Sequence, residues 1–154
     1  MSDNVLKLIP KDCNFIPDLS LHDSAADLLH QLLPNGEMWQ AETYDTIQFI
    51  DQGTNFNDII CPCCHKKSNL DDLDDLWNDI CSETSSINSE LKIEMPCCSN
   101  EIKVTDLAFD WPAGFARFEL SIWNPETTRP LCPQILKKLE EHLGCELKEI
   151  WAHY

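Results

Sequence analysis

The chain has 154 residues, 43% of them hydrophobic and 25% charged, a balance that excludes a disordered polypeptide and suits one folded domain over 1–154. Asp and Glu number 27 against 11 Lys and Arg, a formal net charge of −16, with arginine only at Arg117 and Arg129. Because proteins hold a phosphate backbone mainly through Lys and Arg, this balance disfavours direct nucleic-acid binding and favours a basic protein partner.

No stretch approaches the ~20 apolar residues of a membrane span, and Met1 to Pro10 lacks the basic and apolar regions of a secretion signal. A cytoplasmic location is therefore expected, where clustered thiols stay reduced and more often bind metal than form disulfides.

Val5 to Ile9 reads as a first strand ended by Pro10. Ser20 is expected to cap a helix in which Leu21, Ala25, Leu28 and Leu32 follow helical spacing, until Pro34-Asn35-Gly36 stops it. Thr46 to Asp51 and Asn57 to Cys61 read as short strands around Asp51-Gln52-Gly53. Ser68 is expected to cap a second helix, with Leu70, Leu73, Trp77 and Ile80 on one stripe and Asp71, Asp72, Asp74, Asp75 and Asp79 on the other face. Ser82 to Ser89 reads as a loop, and Leu91, Ile93 and Met95 as a half-buried strand. Ile102 to Val104 follows, then turns at Asp110 to Gly114 and a strand with Phe118, Leu120 and Ile122 on one face. The aromatic run Trp111 to Phe118 is expected to pack in the core. Pro133 opens a third helix bearing Ile135, Leu136, Leu139 and Leu143, closed by Gly144, and Leu147 to Tyr154 ends the chain as a strand. The expected class is α+β, with about three helices on a largely antiparallel sheet.

Five of the nine cysteines fall in two clusters, Cys61-Pro62-Cys63-Cys64-His65 and Met95-Pro96-Cys97-Cys98-Ser99, each delivered by a strand. Zn²⁺ takes four soft ligands in a tetrahedron, and two turns presenting thiolates can supply them. Cys61 and Cys64 make the first pair. In the second cluster Met95 stands where a first ligand would, and a thioether is a poor zinc ligand. The favoured set is thus Cys61, Cys64, Cys97 and Cys98, with Cys63 or His65 as alternatives. One Zn²⁺ on four thiolates adds about two negative charges to the chain. Cys13, Cys81, Cys132 and Cys145 are isolated and expected to be buried free thiols.

The Cys-Pro-x-Cys turn resembles the knuckle of zinc-ribbon proteins, with His65 at the place glycine usually fills. The tail from Pro96 onward resembles small bacterial proteins without an assigned activity. The resemblance implies a structural zinc clasp over 57–104 embedded in the domain, and it transfers no catalytic residue.

Function is less legible. No His-x-Glu with Pro-Cys-x-x-Cys, no His-Glu-x-x-His and no glycine-rich phosphate loop occurs, so the reading leans away from an enzyme. The leading expectation is a zinc-stabilised acidic protein that binds a basic partner, in its most concrete form an immunity or inhibitor protein facing a cationic effector such as a nuclease toxin. Two alternatives remain: a thiol-disulfide oxidoreductase using Cys61 and Cys64, and a zinc-ribbon accessory subunit of a nucleic-acid complex.

Overall fold

The computed structural model describes residues 2–82, 90–127 and 129–154. In chain order it contains β1 (Asn4–Pro10), α1 (His22–Leu32), β2 (Glu37–Ile50), β3 (Asp58–Ile60), β4 (Lys67–Asn69), α2 (Asp74–Ser82), β5 (Lys92–Glu94), β6 (Glu101–Lys103), β7 (Ala108–Phe109), β8 (Gly114–Trp123), α3 (Pro133–Leu143) and β9 (Leu147–His153). Helices and antiparallel sheets are combined as the α+β expectation requires.

The main sheet runs β2-β8-β1-β9 and every neighbouring pair is antiparallel. Alternation along β1 and β8 sends Leu6, Leu8, Phe118, Leu120 and Ile122 to one face, where Ala25 and Leu29 of α1 and Leu139 and Leu143 of α3 cover them. That face is the larger core, and burying it is what holds both helices on the sheet. The opposite face carries the smaller cluster Ile9, Ile50, Ala116 and Ile150, beside two buried charges, Lys7 and Glu119.

A second core gathers around the segment between β3 and β7. Ile59, Leu73, Ile80, Met95, Val104 and Phe109 are buried there with Ile47 and Phe115 from the main sheet. Trp77 of α2 meets Phe49 of β2 edge-on at 4.8 Å and Phe56 at 5.1 Å, and Phe49 lies 5.4 Å from Phe115. These aromatic contacts fasten α2 to the main sheet. The expected stripe of Leu70, Leu73, Trp77 and Ile80 does pack on this core, but Leu70 and Leu73 stand in a 3₁₀ turn before α2 and only Trp77 and Ile80 on the helix itself. The aromatic run from Trp111 also packs inward: Ala113, Phe115, Ala116 and Phe118 are buried, and half-buried Trp111 stacks under Arg129 at 4.2 Å.

Several local expectations need correcting. Ser20 does not cap α1; a 3₁₀ turn at Leu19–Leu21 precedes it, and the Asp18 carboxylate accepts from Ser20 N. Ser68 lies in β4, and the cap of the next turn is Asn69, whose Oδ1 accepts from Asp71 N at 2.9 Å. Replacing Asn69 with Ala should cost about 1 kcal/mol in a thermal melt, while Ser68→Ala should leave the midpoint unmoved. The strand expected at Thr46 to Asp51 begins at Glu37. Cys81 and Cys132 are exposed and Cys13 and Cys145 half-buried, so none of the four isolated thiols is a core residue. The loop expected at Ser82 to Ser89 lies outside the described residues, except that Ser82 ends α2.

One glycine is required by its surroundings. Gly53 has φ +61°, and a Cβ there would stand 2.2 Å from the His153 carbonyl oxygen. The turn after β2 is thereby pressed against β9, and Thr54 N donates to the same oxygen at 2.8 Å.

Candidate metal centre

Each cysteine cluster is the six-residue loop of a short hairpin. In β3–β4 the last ladder pair is Ile60↔Lys67, and in β5–β6 it is Glu94↔Glu101, so the loops are 61–66 and 95–100. Their backbones match bond for bond. Cys61 N donates to Lys66 O at 3.0 Å and His65 N to Cys61 O at 3.0 Å; Met95 N donates to Asn100 O at 2.9 Å and Ser99 N to Met95 O at 2.8 Å. His65 and Ser99 hold φ at +62° and +59°. The left-handed turn that glycine usually serves is thus made by a histidine and a serine, at a modest conformational cost.

The equivalence explains which thiols converge. Cys61 and Met95 occupy the first position, Cys63 and Cys97 the third, Cys64 and Cys98 the fourth. Met95 is 2% exposed and packs in the second core, which leaves the first position of its loop without a thiolate. Cys97 at the third position fills the gap. The Sγ atoms of Cys61, Cys64, Cys97 and Cys98 all lie within 4.8 Å of one another. Cys61 and Cys98 are 3.8 Å apart and Cys64 and Cys97 are 3.3 Å apart. Both spacings are far beyond a ~2.05 Å disulfide and close to the ~3.8 Å edge of a tetrahedron with ~2.3 Å metal–sulfur bonds. Four soft donors in this arrangement can hold a metal ion.

The protons tell the same story. Burial works to raise the Cys61 thiol, but the N–H groups of Cys64 and Cys63, with contacts from Cys97 and Cys64, bring it down to about 7. Cys97 is pushed up to about 12, first by burial and then by the sulfurs of Cys64, Cys61 and Cys98. The Cys61 thiolate is thus favoured and that of Cys97 resisted, an imbalance that a bound cation would remove by favouring the ionised form of its ligands.

Neither alternative ligand joins the group. Cys63 is exposed and accepts from Asn100 Nδ2 at 3.2 Å, a bond that ties the first loop to the second. Burial raises its thiol, and the charges of Cys98 and Cys61 raise it further. His65 is also exposed. The remaining histidines, His22, His30, His142 and His153, are half-buried or exposed.

A thiol oxidoreductase places its reactive cysteine at a helix N-terminus, where the dipole stabilises the thiolate. Here Cys64 leads through a left-handed turn into β4, and α2 begins only at Asp74. Cys61 and Cys64 also each have a close sulfur partner in the other loop, Cys98 and Cys97 respectively.

Two buried charges escape sequence reading. Lys7 and Glu119 are 7% and 9% exposed on the sheet face away from α1 and α3. Alternation marks both as outward-pointing, but the turn after β2 and the chain end close over that face. Lys7 Nζ donates to Asp51 Oδ1 at 2.8 Å, to Asp51 O at 2.9 Å and to Tyr154 Oη at 2.8 Å.

Among the described residues no helix is long and apolar enough to cross a membrane. Comparison of the chain with protein-family models, with curated proteins and with solved structures finds no match.

Proposed function

We propose that this is a non-enzymatic acidic binding protein whose Cys61, Cys64, Cys97 and Cys98 hold a structural Zn²⁺. The carrying observation is the four-sulfur cluster, in which each hairpin brings two thiols to one point, the donor number and type of a closed structural zinc site. Zinc suits an all-thiolate tetrahedral set better than the hard cations do. Metal analysis of purified protein should find about one equivalent of zinc. Intact thiols without bound metal would refute the assignment.

The partner reading rests on charge. Lys67, Lys92 and Lys103 each pair with a carboxylate, Asp110, Glu101 and Glu90 respectively. Asp71, Asp72, Asp74 and Asp75 are exposed, and among the described residues none forms an ion pair. This rigid acidic face, held between the metal loops, suits a cationic surface, and an inhibitor that masks a basic effector such as a nuclease is its most concrete form. Affinity purification with the intact chain should recover a basic protein. Changing the four aspartates to Asn should weaken that complex at least about tenfold at low salt and flatten its salt dependence. Unchanged affinity, or recovery of nucleic acid alone, removes this face from the interface.

A further inference from the structure

A cleft of about 370 Å³ lies where the end of β1, the start of β8 and β9 meet the turn that leaves the metal hairpins. Three of the chain's nine lysines, Lys11, Lys103 and Lys148, line it. This concentration of cations in a chain of net charge −16 is the opposite of what its composition favours.

Lys148 is the unusual member. It sits opposite Ile9 in the β1–β9 ladder, and its ammonium group donates to the Ala113 carbonyl. Burial lowers its pKa, with no charged partner to offset the effect. Among the described residues neither Lys148 nor Lys11 forms an ion pair, and Lys103 reaches Glu90 only at 3.7 Å. Of the nearby acids, Glu149 Oε1 accepts from Leu131 N at 2.7 Å, Glu140 Oε2 accepts from Leu147 N at 2.8 Å, and exposed Glu146 forms no ion pair among the described residues. Gly114 lies against this lysine: a Cβ there would be in ordinary contact with Lys148 Nζ at 3.5 Å and would crowd Ile9 Cδ1 at 3.0 Å. A partly desolvated ammonium without a counter-ion is unfavourable, and a ligand anion is the group that would complete it.

Two carboxylates refine the ligand. Asp12 and Asp106 also line the cleft, both exposed, and Asp12 Oδ1 already accepts from Asn14 N at 2.9 Å. They repel a bare anion at the rim but accept hydrogen bonds from hydroxyl groups. We propose that this cleft binds a small hydroxylated organic anion, with Lys148 holding its carboxylate or phosphate and Asp12 and Asp106 its hydroxyls. The site is separate from the cysteine cluster and does not depend on the metal reading.

Glycerol phosphate, malate and chloride, titrated into the full chain at constant ionic strength and followed by backbone amide shifts, test it directly. Saturable shifts centred on Gly114, Lys148 and Thr105, which also lines the cleft, are expected with glycerol phosphate or malate and not with chloride. A response to the first alone assigns a phosphate ester, and to the second alone a carboxylate. Lys148→Met should weaken the binding at least about tenfold, as loss of a charge-assisted contact does. If that variant loses its native spectrum, the more exposed pair Lys11→Gln with Lys103→Gln should show the weakening instead. Shifts that never saturate, that spread over all lysines, or that persist unchanged in the folded variant overturn the proposal.

Discussion

Removal of the metal should unfold the hairpin segment between β3 and β6 while the main sheet outlasts it. With the metal gone the crowded sulfurs take up protons, and what is lost is the metal–sulfur bonding that would tie the two hairpins together. Structural zinc sites in small peptides bind with about 10–16 kcal/mol near pH 7, comparable to the whole stability of a domain, about 5–15 kcal/mol. The strands this site joins are three residues each, too short to persist on ladder hydrogen bonds alone. Chelation, or Cys98→Ser, should therefore lower the melting midpoint by more than about 10 °C. Amide exchange should speed up first at Cys61, His65, Met95 and Ser99, whose N–H groups close the two loops. Leu6, Leu8, Phe118 and Leu120 belong to a core that contains none of these residues, so their amides should exchange later. Cys63→Ser is the control: it lies outside the cluster and should keep both metal and midpoint. Equal losses from Cys63→Ser and Cys98→Ser, or no loss from either, would sink the structural-zinc reading.

The residues that made the site legible in the sequence are those whose chemistry is local. A Pro-Cys turn after an apolar strand suggests a knuckle whatever surrounds it, and the methionine at Met95 made Cys97 a candidate ligand. The structure adds that the two loops share their hydrogen bonds and left-handed turn, so Cys97 answers to Cys63 in position, yet only Cys97 joins the four-sulfur cluster. The stripe on α2 and the alternation in β8 were legible for the same reason, being periodic over a buried face. The first half of β2 was not. It is an edge strand paired only with β8, its exposed residues show no clean alternation, and irregular register between Thr43 and Gln48 breaks the period. β4, Lys67-Ser68-Asn69, has no strand character of its own; the knuckle hairpin folds it back onto β3. Lys7 and Glu119 were hidden because their burial comes from segments distant in sequence, Asp51 and Tyr154 for the lysine and Tyr44 for the glutamate.

That hidden pair carries the second large effect. Lys7→Met should destabilise the fold by about 2–3 kcal/mol, below the ~3–5 kcal/mol of a fully buried pair because water can reach a freed Asp51, whose side chain is 42% exposed. The pH response separates the partners. Burial raises the Glu119 pKa, more than the Tyr44 hydrogen bond and the Lys7 charge lower it. Its contribution is thus full below about 4.3, the unfolded value, and is lost as pH rises through the higher folded one. Asp51 behaves oppositely. Burial works to raise it, but the bonds from Lys7 and Tyr154 hold it below the usual carboxylate range, so its contribution is present above about 3.9 and is lost as pH falls through the folded value. Tyr44 sits between two carboxyl groups, its hydroxyl 2.7 Å from Glu119 Oε2 and 2.8 Å from Glu42 Oε2, and one phenol proton can serve only one of them at a time. Glu119→Gln should therefore match or exceed the parent in stability near pH 7, with the advantage vanishing toward about pH 4. In urea unfolding, Lys7→Met combined with Glu119→Gln should recover part of the loss from Lys7→Met alone, because the lysine no longer leaves a buried carboxylate behind. Strict additivity of the two changes would show that Lys7 and Glu119 do not sense each other, and would place the whole effect on Asp51.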